Sequence, residues 1–197
     1  YHLFTPKIIE NEETSYFFDK NKFTIHTSSE PLWRTYKMSI VINQLKPDIF
    51  HGLSHEIPLG LKNNIKKVVT FHDLIYEIYP KQFGIWDRNM YKLKYKKAAK
   101  TADMVVCISK STQNDLIRLY KIPAEKTCIV YQSCQEVFQE KLVSVPSLSL
   151  PDIPYFLYVG SIIPRKNLKS IVESFAVLDD SLKRPFVIVG SGPEKYV

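Results

Sequence analysis

Five short apolar runs that hardly alternate with polar residues set the strongest limit on what this chain can fold into. They are Val68-Val69-Thr70-Phe71, Met104-Val105-Val106-Cys107-Ile108, Thr127-Cys128-Ile129-Val130-Tyr131, Tyr155-Phe156-Leu157-Tyr158-Val159 and Phe186-Val187-Ile188-Val189. A strand with one wet face alternates, whereas a strand buried on both faces reads as a continuous apolar run rich in β-branched and aromatic residues. Segments with helical signals separate these runs. Repeats of strand, helix and strand predict an α/β fold, a parallel sheet with helices on both faces. In such folds ligands sit at the carboxyl ends of the strands.

The weaker elements follow the same logic. Residues 1–4 and 23–26 read as strands and 7–20 as a loop. A helix is expected to open at Pro31, which suits a first turn, and to run to Leu45 with Leu32, Tyr36, Ile40 and Leu45 on its inner face. A short strand covers 48–52. Residues 87–100 form a helix with Tyr91, Tyr95 and Ala98 inward, and Ser109 caps a helix over 110–120. A further helix spans 168–178. The stretch 139–154, with three prolines, three serines and no period, reads as a linker. It divides the chain into a first domain over 1–138 and a second over 155–197.

At 197 residues the chain has room for one large or two small domains. No apolar run approaches the roughly 18 residues of a membrane span. Tyr1-His2-Leu3-Phe4-Thr5-Pro6 carries no leader features and reads as the middle of a longer sequence. Cys107, Cys128 and Cys134 form no disulfide pattern and read as buried thiols of a reducing compartment. The net charge of +7 is confined to residues 81–126, where eleven basic groups face four acidic ones. That imbalance fits a solvated helix face or an anionic partner. On helix 87–100, Arg88, Lys92, Lys96 and Lys100 recur every fourth residue, a face that would suit anionic lipid headgroups. No aromatic-interleaved sheet or recognition helix supports a nucleic-acid partner.

Three strand ends carry residues with chemistry. Phe50-His51-Gly52 and Thr70-Phe71-His72-Asp73 bring imidazoles and a carboxylate to one sheet edge. A histidine there either binds a neighbouring backbone carbonyl or handles a proton or a phosphate. Gly160-Ser161 leads to Arg165-Lys166-Asn167 ahead of a helix, a pattern suited to a diphosphate. Gly190-Ser191-Gly192 marks a close backbone approach. His51 and His55 have metal-ligand spacing but are flanked by Gly52 and Pro58, so no metal is expected.

Taken together, Val69-Thr70-Phe71-His72-Asp73-Leu74, Ala102-Asp103-Met104-Val105-Val106-Cys107-Ile108-Ser109, Tyr158-Val159-Gly160-Ser161 with Pro164-Arg165-Lys166-Asn167, and Val187-Ile188-Val189-Gly190-Ser191-Gly192-Pro193 resemble the family 4 retaining glycosyltransferases. The resemblance runs over the whole chain. It implies a GT-B fold, with an acceptor-side Rossmann-like domain over 1–138 and the beginning of a nucleotide-sugar domain over 155–197. It implies His72 and Asp73 as catalytic residues in the cleft. It places Gly160, Ser161, Arg165 and Lys166 at the donor diphosphate, and His51, Gly52 and His55 on the acceptor side.

Ser161 stands where the family has an arginine, for which Arg165 would substitute. Gln132-Ser133-Cys134 replaces an Asn-Gly turn. The family's opening strand and glycine-rich loop and its paired glutamates have no counterpart here, so the chain is expected to be an inactive fragment of an active parent. That parent would be a cytoplasmic enzyme touching the inner membrane face through helix 87–100. It would need no cofactor, and would transfer a hexose such as mannose from a UDP- or GDP-linked donor to a glycan or lipid-linked acceptor of a cell-surface polysaccharide. A non-catalytic Rossmann-like binding module is the competing reading.

Overall fold

A computed structural model describes residues 1–134, 138 and 151–193 of the chain. They fall into two compact units, Tyr1–Ser133 and Cys134–Val197. The proposed linker lies outside the described residues up to position 150. Among the described helices, none is long and apolar enough to cross a membrane.

The first unit is built on parallel strands. β1 (His2–Thr5) pairs with β2 (Thr24–Thr27), and β3 (Ile49–Gly52), β4 (Lys66–Phe71), β5 (Met104–Cys107) and β6 (Thr127–Ile129) form a four-stranded sheet in that order. Every pairing is parallel, with Val69 opposite Val105 and Phe71 opposite Cys107. Parallel neighbours need crossovers. A short α2 (Ile75–Ile78) and the long α3 (Ile85–Thr101) join β4 to β5, and α4 (Lys110–Asp115) continues as a wide π turn, Leu116–Tyr120, before β6. The Rossmann-like α/β expectation holds for these elements.

The main core joins one face of β4 and β5 to the helices. Val69, Phe71, Val105, Cys107, Ala99 and Leu116 are fully buried, with Ala98 and Ala102 beside them. The small alanines let α3 lie close to the strands, while Tyr91 and Tyr95 flank them, as the helical period implied. Each large apolar side chain buried here contributes about 1.5–3 kcal/mol. The opposite row of the sheet, including Val68, Thr70 and Val106, is only half-buried. Ser109 caps α4 as expected, accepting the Thr112 amide at 3.1 Å. Of the cysteines, Cys107 is buried and Cys128 half-buried, but Cys134 is exposed, beyond the last strand of this unit.

The helix before β3 differs from expectation in two ways. Leu32 takes a left-handed φ of 61°, and its carbonyl accepts the amides of Thr35 and Tyr36. The chain therefore enters a π turn, Trp33–Lys37, and only then α1 (Met38–Leu45), leaving Pro31 outside. The wide turn shifts the phase, so the inner face carries Met38 and Ile42, packed with Ile65 in a second core cluster. Leu32, Tyr36, Ile40 and Leu45 are all exposed.

The second unit is a βαβ motif: β7 (Phe156–Val159), α5 (Leu168–Ala176) and β8 (Phe186–Val189), the strands again parallel. Phe175 stacks on Phe186 at 5.4 Å and meets Phe156 edge-on. None of its described residues is fully buried.

The inverted face of α1 is directly testable. Ile42, 1% exposed, should cost about 2–5 kcal/mol when truncated to alanine. Ile40, 59% exposed, should cost less than about 0.5 kcal/mol. Urea unfolding of Ile42→Ala and Ile40→Ala gives both numbers; the reverse order would restore the sequence-based face.

Candidate functional site

β3 and β4 end side by side, and the residues after them form one cluster. Gly52 ends β3 where a side chain cannot fit, since a Cβ there would lie 2.0 Å from the Glu56 carbonyl oxygen. The chain turns over Gly52 and returns, and His55, at a left-handed φ of 60°, donates its amide to the Thr70 carbonyl at 2.9 Å. Its ring is stacked on Tyr95 of α3 at 4.8 Å and meets Phe71 edge-on at 5.1 Å. His55 Nε2 accepts the amide of His72 at 3.1 Å and that of Asp73 at 3.4 Å. An imidazole nitrogen receiving two N–H groups carries no proton. Burial pushes the His55 pKa down to about 4; the Asp73 carboxylate opposes this and the His72 ring adds to it.

His72 and Asp73 are thus set by their neighbours. His72 Nε2 lies 2.9 Å from the Leu53 carbonyl oxygen, which can only accept, so that nitrogen carries a proton, and in the neutral ring Nδ1 is then the acceptor. The His72 carbonyl accepts the Thr112 hydroxyl at 2.9 Å, which ties the strand end to α4. Asp73 Oδ1 accepts the Ile75 amide at 3.1 Å at the start of α2. His72 thus makes the backbone-carbonyl bond that one reading of a strand-end histidine expects.

The structure brings together Gly52, His55, His72 and Asp73. It does not bring His51 to them. His51 pairs with Val68 across the ladder, on the sheet row opposite Gly52, and its Nε2 meets the Thr70 hydroxyl at 2.9 Å; burial lowers its pKa. Leu53, Tyr95 and Thr112 position His55 and His72; Tyr95 was expected only as an inward residue of its helix, and Leu53 and Thr112 were not singled out in the sequence. Their signals are a carbonyl, a core aromatic and a helix-start hydroxyl, which read as ordinary structure. Among the described residues, no group of three or more His, Cys, Asp or Glu side chains gathers as a metal site would.

In the second unit, Gly160 and Ser161 follow β7, and Arg165 and Lys166 lie exposed in a 3-10 turn, Pro164–Lys166. Asn167, at φ 53°, then opens α5. The loop packs on the 190–192 segment through Gly160 N–H to the Val189 carbonyl, 2.9 Å, and Ile162 N–H to the Ser191 carbonyl, 2.8 Å. A Cβ on Gly190 or Gly192 would strike the Gly160 or Ile162 carbonyl oxygen at about 2 Å. The Gly-x-Gly pair therefore serves this close backbone approach.

The neutral, half-buried state of His55 has a pH signature. Unfolded, the ring takes up a proton near pH 6.5; folded, it does so only near 4. Between those values the unfolded state holds more protons, so stability falls as the pH drops through that window and levels off below it. The loss attributable to this ring is about 3 kcal/mol. His55→Gln should remove that part of the pH dependence, and His55→Ala should also leave two amides without their acceptor. Urea midpoints at pH 7, 5.5 and 4 compare the three proteins; parallel pH profiles would refute the assignment.

This arrangement can be set beside known proteins. The family profile of Glycosyltransferase Family 4 matches residues 2–133. The chain is 25% identical over 157 residues to the O-antigen chain mannosyltransferase B of Escherichia coli, covering 77% of this chain and 40% of that protein. It is 27% identical over 129 residues to the O-antigen chain mannosyltransferase RfbU of Salmonella typhimurium strain LT2, covering 64% of this chain and 32% of that protein. The chain thus spans well under half the length of these relatives. The profile match embraces both β3–β6 and the His55–His72–Asp73 cluster, and the chain belongs to Glycosyltransferase Family 4.

Proposed function

We propose that this chain forms part of a retaining glycosyltransferase that moves a hexose, most simply mannose, from a nucleotide sugar to a glycan or lipid-linked acceptor in cell-surface polysaccharide synthesis. The first domain receives the acceptor, and residues 155–197 begin the donor domain. Family membership supports the transfer, and the relatives' names support the mannose. The single observation that carries the site is the held His72 ring at the end of a central parallel strand, with Nδ1 available as an acceptor.

In this reading His72 Nδ1 accepts a hydroxyl proton of the transferred sugar, and its Nε2–H bond to Leu53 fixes the ring plane. His55 holds the backbone of His72 and Asp73 without itself charging, which keeps a second cation away from the sugar. Asp73 supplies negative charge beside a carbohydrate centre that becomes more positive as the leaving diphosphate departs. Gly160, Ser161, Arg165 and Lys166 take that diphosphate, of a UDP or GDP donor. The glycine lets the backbone approach, and the two cations offset the developing charge on the leaving group. His51 and Gly52 border the acceptor side. The enzyme works at the cytoplasmic membrane face, with helix 87–100 in peripheral contact and no nucleic acid involved.

Two measurements test this. In a protein with the full length of the relatives, His72→Ala should lower turnover by at least ~10²-fold with an unchanged melting temperature, the lower range for a positioned proton-handling group. A large loss of stability with turnover intact would leave His72 as a structural residue. In this chain, GDP or UDP should shift the amide resonances of Gly160, Ser161 and Lys166, and Lys166→Glu should abolish the shifts. Unmoved resonances with both nucleotides at millimolar concentration would remove the diphosphate assignment.

A further inference from the structure

The outer side of α3 borders an open cavity of about 660 Å³, within the range of small-molecule sites. Its origin is topological. The crossovers from β4 to β5 and from β5 to β6 carry helices, but the β3 to β4 connection, residues 53–65, carries none. That leaves a groove beside α3 at the seam of the two core clusters, where Ile57 flanks one and Leu61 the other. Met90, Leu93, Lys94, Lys97 and Thr101 line it from α3, a single stripe at helical spacing that adjoins the face of the buried alanines. Leu93 is 74% exposed and Met90 47%, and Trp86, one turn before Met90 on the same side, is 88% exposed.

The charges around this groove are unbalanced. Arg34, Lys67, Lys94 and Lys97 face one carboxylate, Glu56. Arg34 answers Glu56 at 3.5 Å, and Lys67, Lys94 and Lys97 enter no ion pair among the described residues. The lysines at the four-residue spacing are placed differently. Lys92 reaches the nearly buried Glu77 at 3.4 Å, and Lys96 lies 5.9 Å from the centre of the Tyr120 ring. Two cations of α3 without an ion pair among the described residues, Lys94 and Lys97, therefore lie along the apolar groove, while Lys100 and Arg88 lie outside it.

We infer that this groove binds an anionic amphiphile, with its apolar chain along Met90, Leu93, Leu59 and Leu61 and its phosphate or carboxylate head at Lys94 and Lys97. Apolar walls favour the chain, and cations without an ion-pair partner favour a charged head over a neutral one, although Lys94 Nζ also lies 3.5 Å from the Thr35 hydroxyl. Thr101 and Lys67 mark the end of the groove near the amino ends of β4 and β5, whereas His72 lies past the carboxyl end of β4. The site is thus distinct from the His55–His72 cluster, and it is read by binding alone, whatever becomes of the transfer assignment.

The experiment titrates the chain with dodecyl phosphate below its micelle-forming concentration, beside inorganic phosphate and dodecyl maltoside. Calorimetry and amide-shift mapping provide the readouts. Dodecyl phosphate should saturate, moving amides over 56–63 and 90–101, and should bind at least about tenfold more tightly than either comparator, since burying several methylenes is worth more than that. Leu93→Asp should weaken it about tenfold or more. The Lys94→Glu, Lys97→Glu pair should do the same, with an effect that shrinks as salt screens the head.

Lys100→Glu, outside the groove, should leave affinity unchanged; Leu93, Lys97 and Lys100 are exposed and Lys94 half-buried, so Lys97→Glu alone, which should also weaken binding, serves as the second variant. Equal affinity for inorganic phosphate would overturn the inference in favour of a simple anion patch. Equal affinity for dodecyl maltoside would leave only an apolar groove. Binding to phosphatidylglycerol vesicles without binding to free dodecyl phosphate would assign the stripe to a bilayer surface. A dimer by sedimentation that Leu93→Asp dissolves would assign it to a second copy.

Discussion

The parallel pairing of β4 with β5 is the contact on which the rest of the first unit depends. Val69 sits opposite Val105 and Phe71 opposite Cys107, and all four are fully buried. Their burial requires a helix close above them, and Ala98, Ala99 and Ala102 provide a surface flat enough for that approach. Once α3 is seated, Leu116 and Tyr120 of the π turn after α4 complete the same core. The carboxyl ends of these strands then fall where the loops carrying His55, His72 and Asp73 must meet.

That meeting point is governed by one uncharged imidazole. His55 is the acceptor for two consecutive amides just beyond β4, held in place by Tyr95 and Phe71. A protonated ring could accept neither, so the geometry of His72 and Asp73 depends on His55 staying neutral. Three histidine and aromatic neighbours thus divide the work: His55 organises backbone, Tyr95 ties the cluster to α3, and His72 is held through Nε2 on the Leu53 carbonyl. His51, although close in sequence, belongs to the other row of the sheet because strand residues alternate in direction.

The positive charge of α3 divides in a comparable way. Part of it is absorbed by the fold, in the Lys92–Glu77 pair and the approach of Lys96 to Tyr120. Exposed pairs of this kind contribute little, but Glu77 is nearly buried and gains from a partner. Lys94 and Lys97 instead lie beside apolar side chains that the helix-free β3–β4 connection leaves uncovered. A single absent crossover helix therefore shapes both the exposed face of α3 and its electrostatic character.

Much of this was legible from residues alone. Unbroken apolar runs marked the parallel strands, although only one row of β4 and β5 is fully buried and the other is half-buried. Ser109 marked a cap, because its hydroxyl replaces a missing backbone partner, and the clustered motifs marked the family. What lay beyond the sequence depended on contacts between distant segments. The wide turn at Trp33–Lys37 rotated the buried face of α1 to Ile42, and a left-handed Leu32 is invisible to a periodicity argument. The spacing of His51 and His55 gave no hint that one faces a neighbouring strand while the other accepts two amides from it. Which lysines of α3 are committed was likewise decided by Glu77 and Tyr120, from other elements. Local sequence determines which backbone conformation is cheapest and which residues seek burial; only tertiary packing determines which partner each polar group finds, since that partner is seldom a neighbour in the chain.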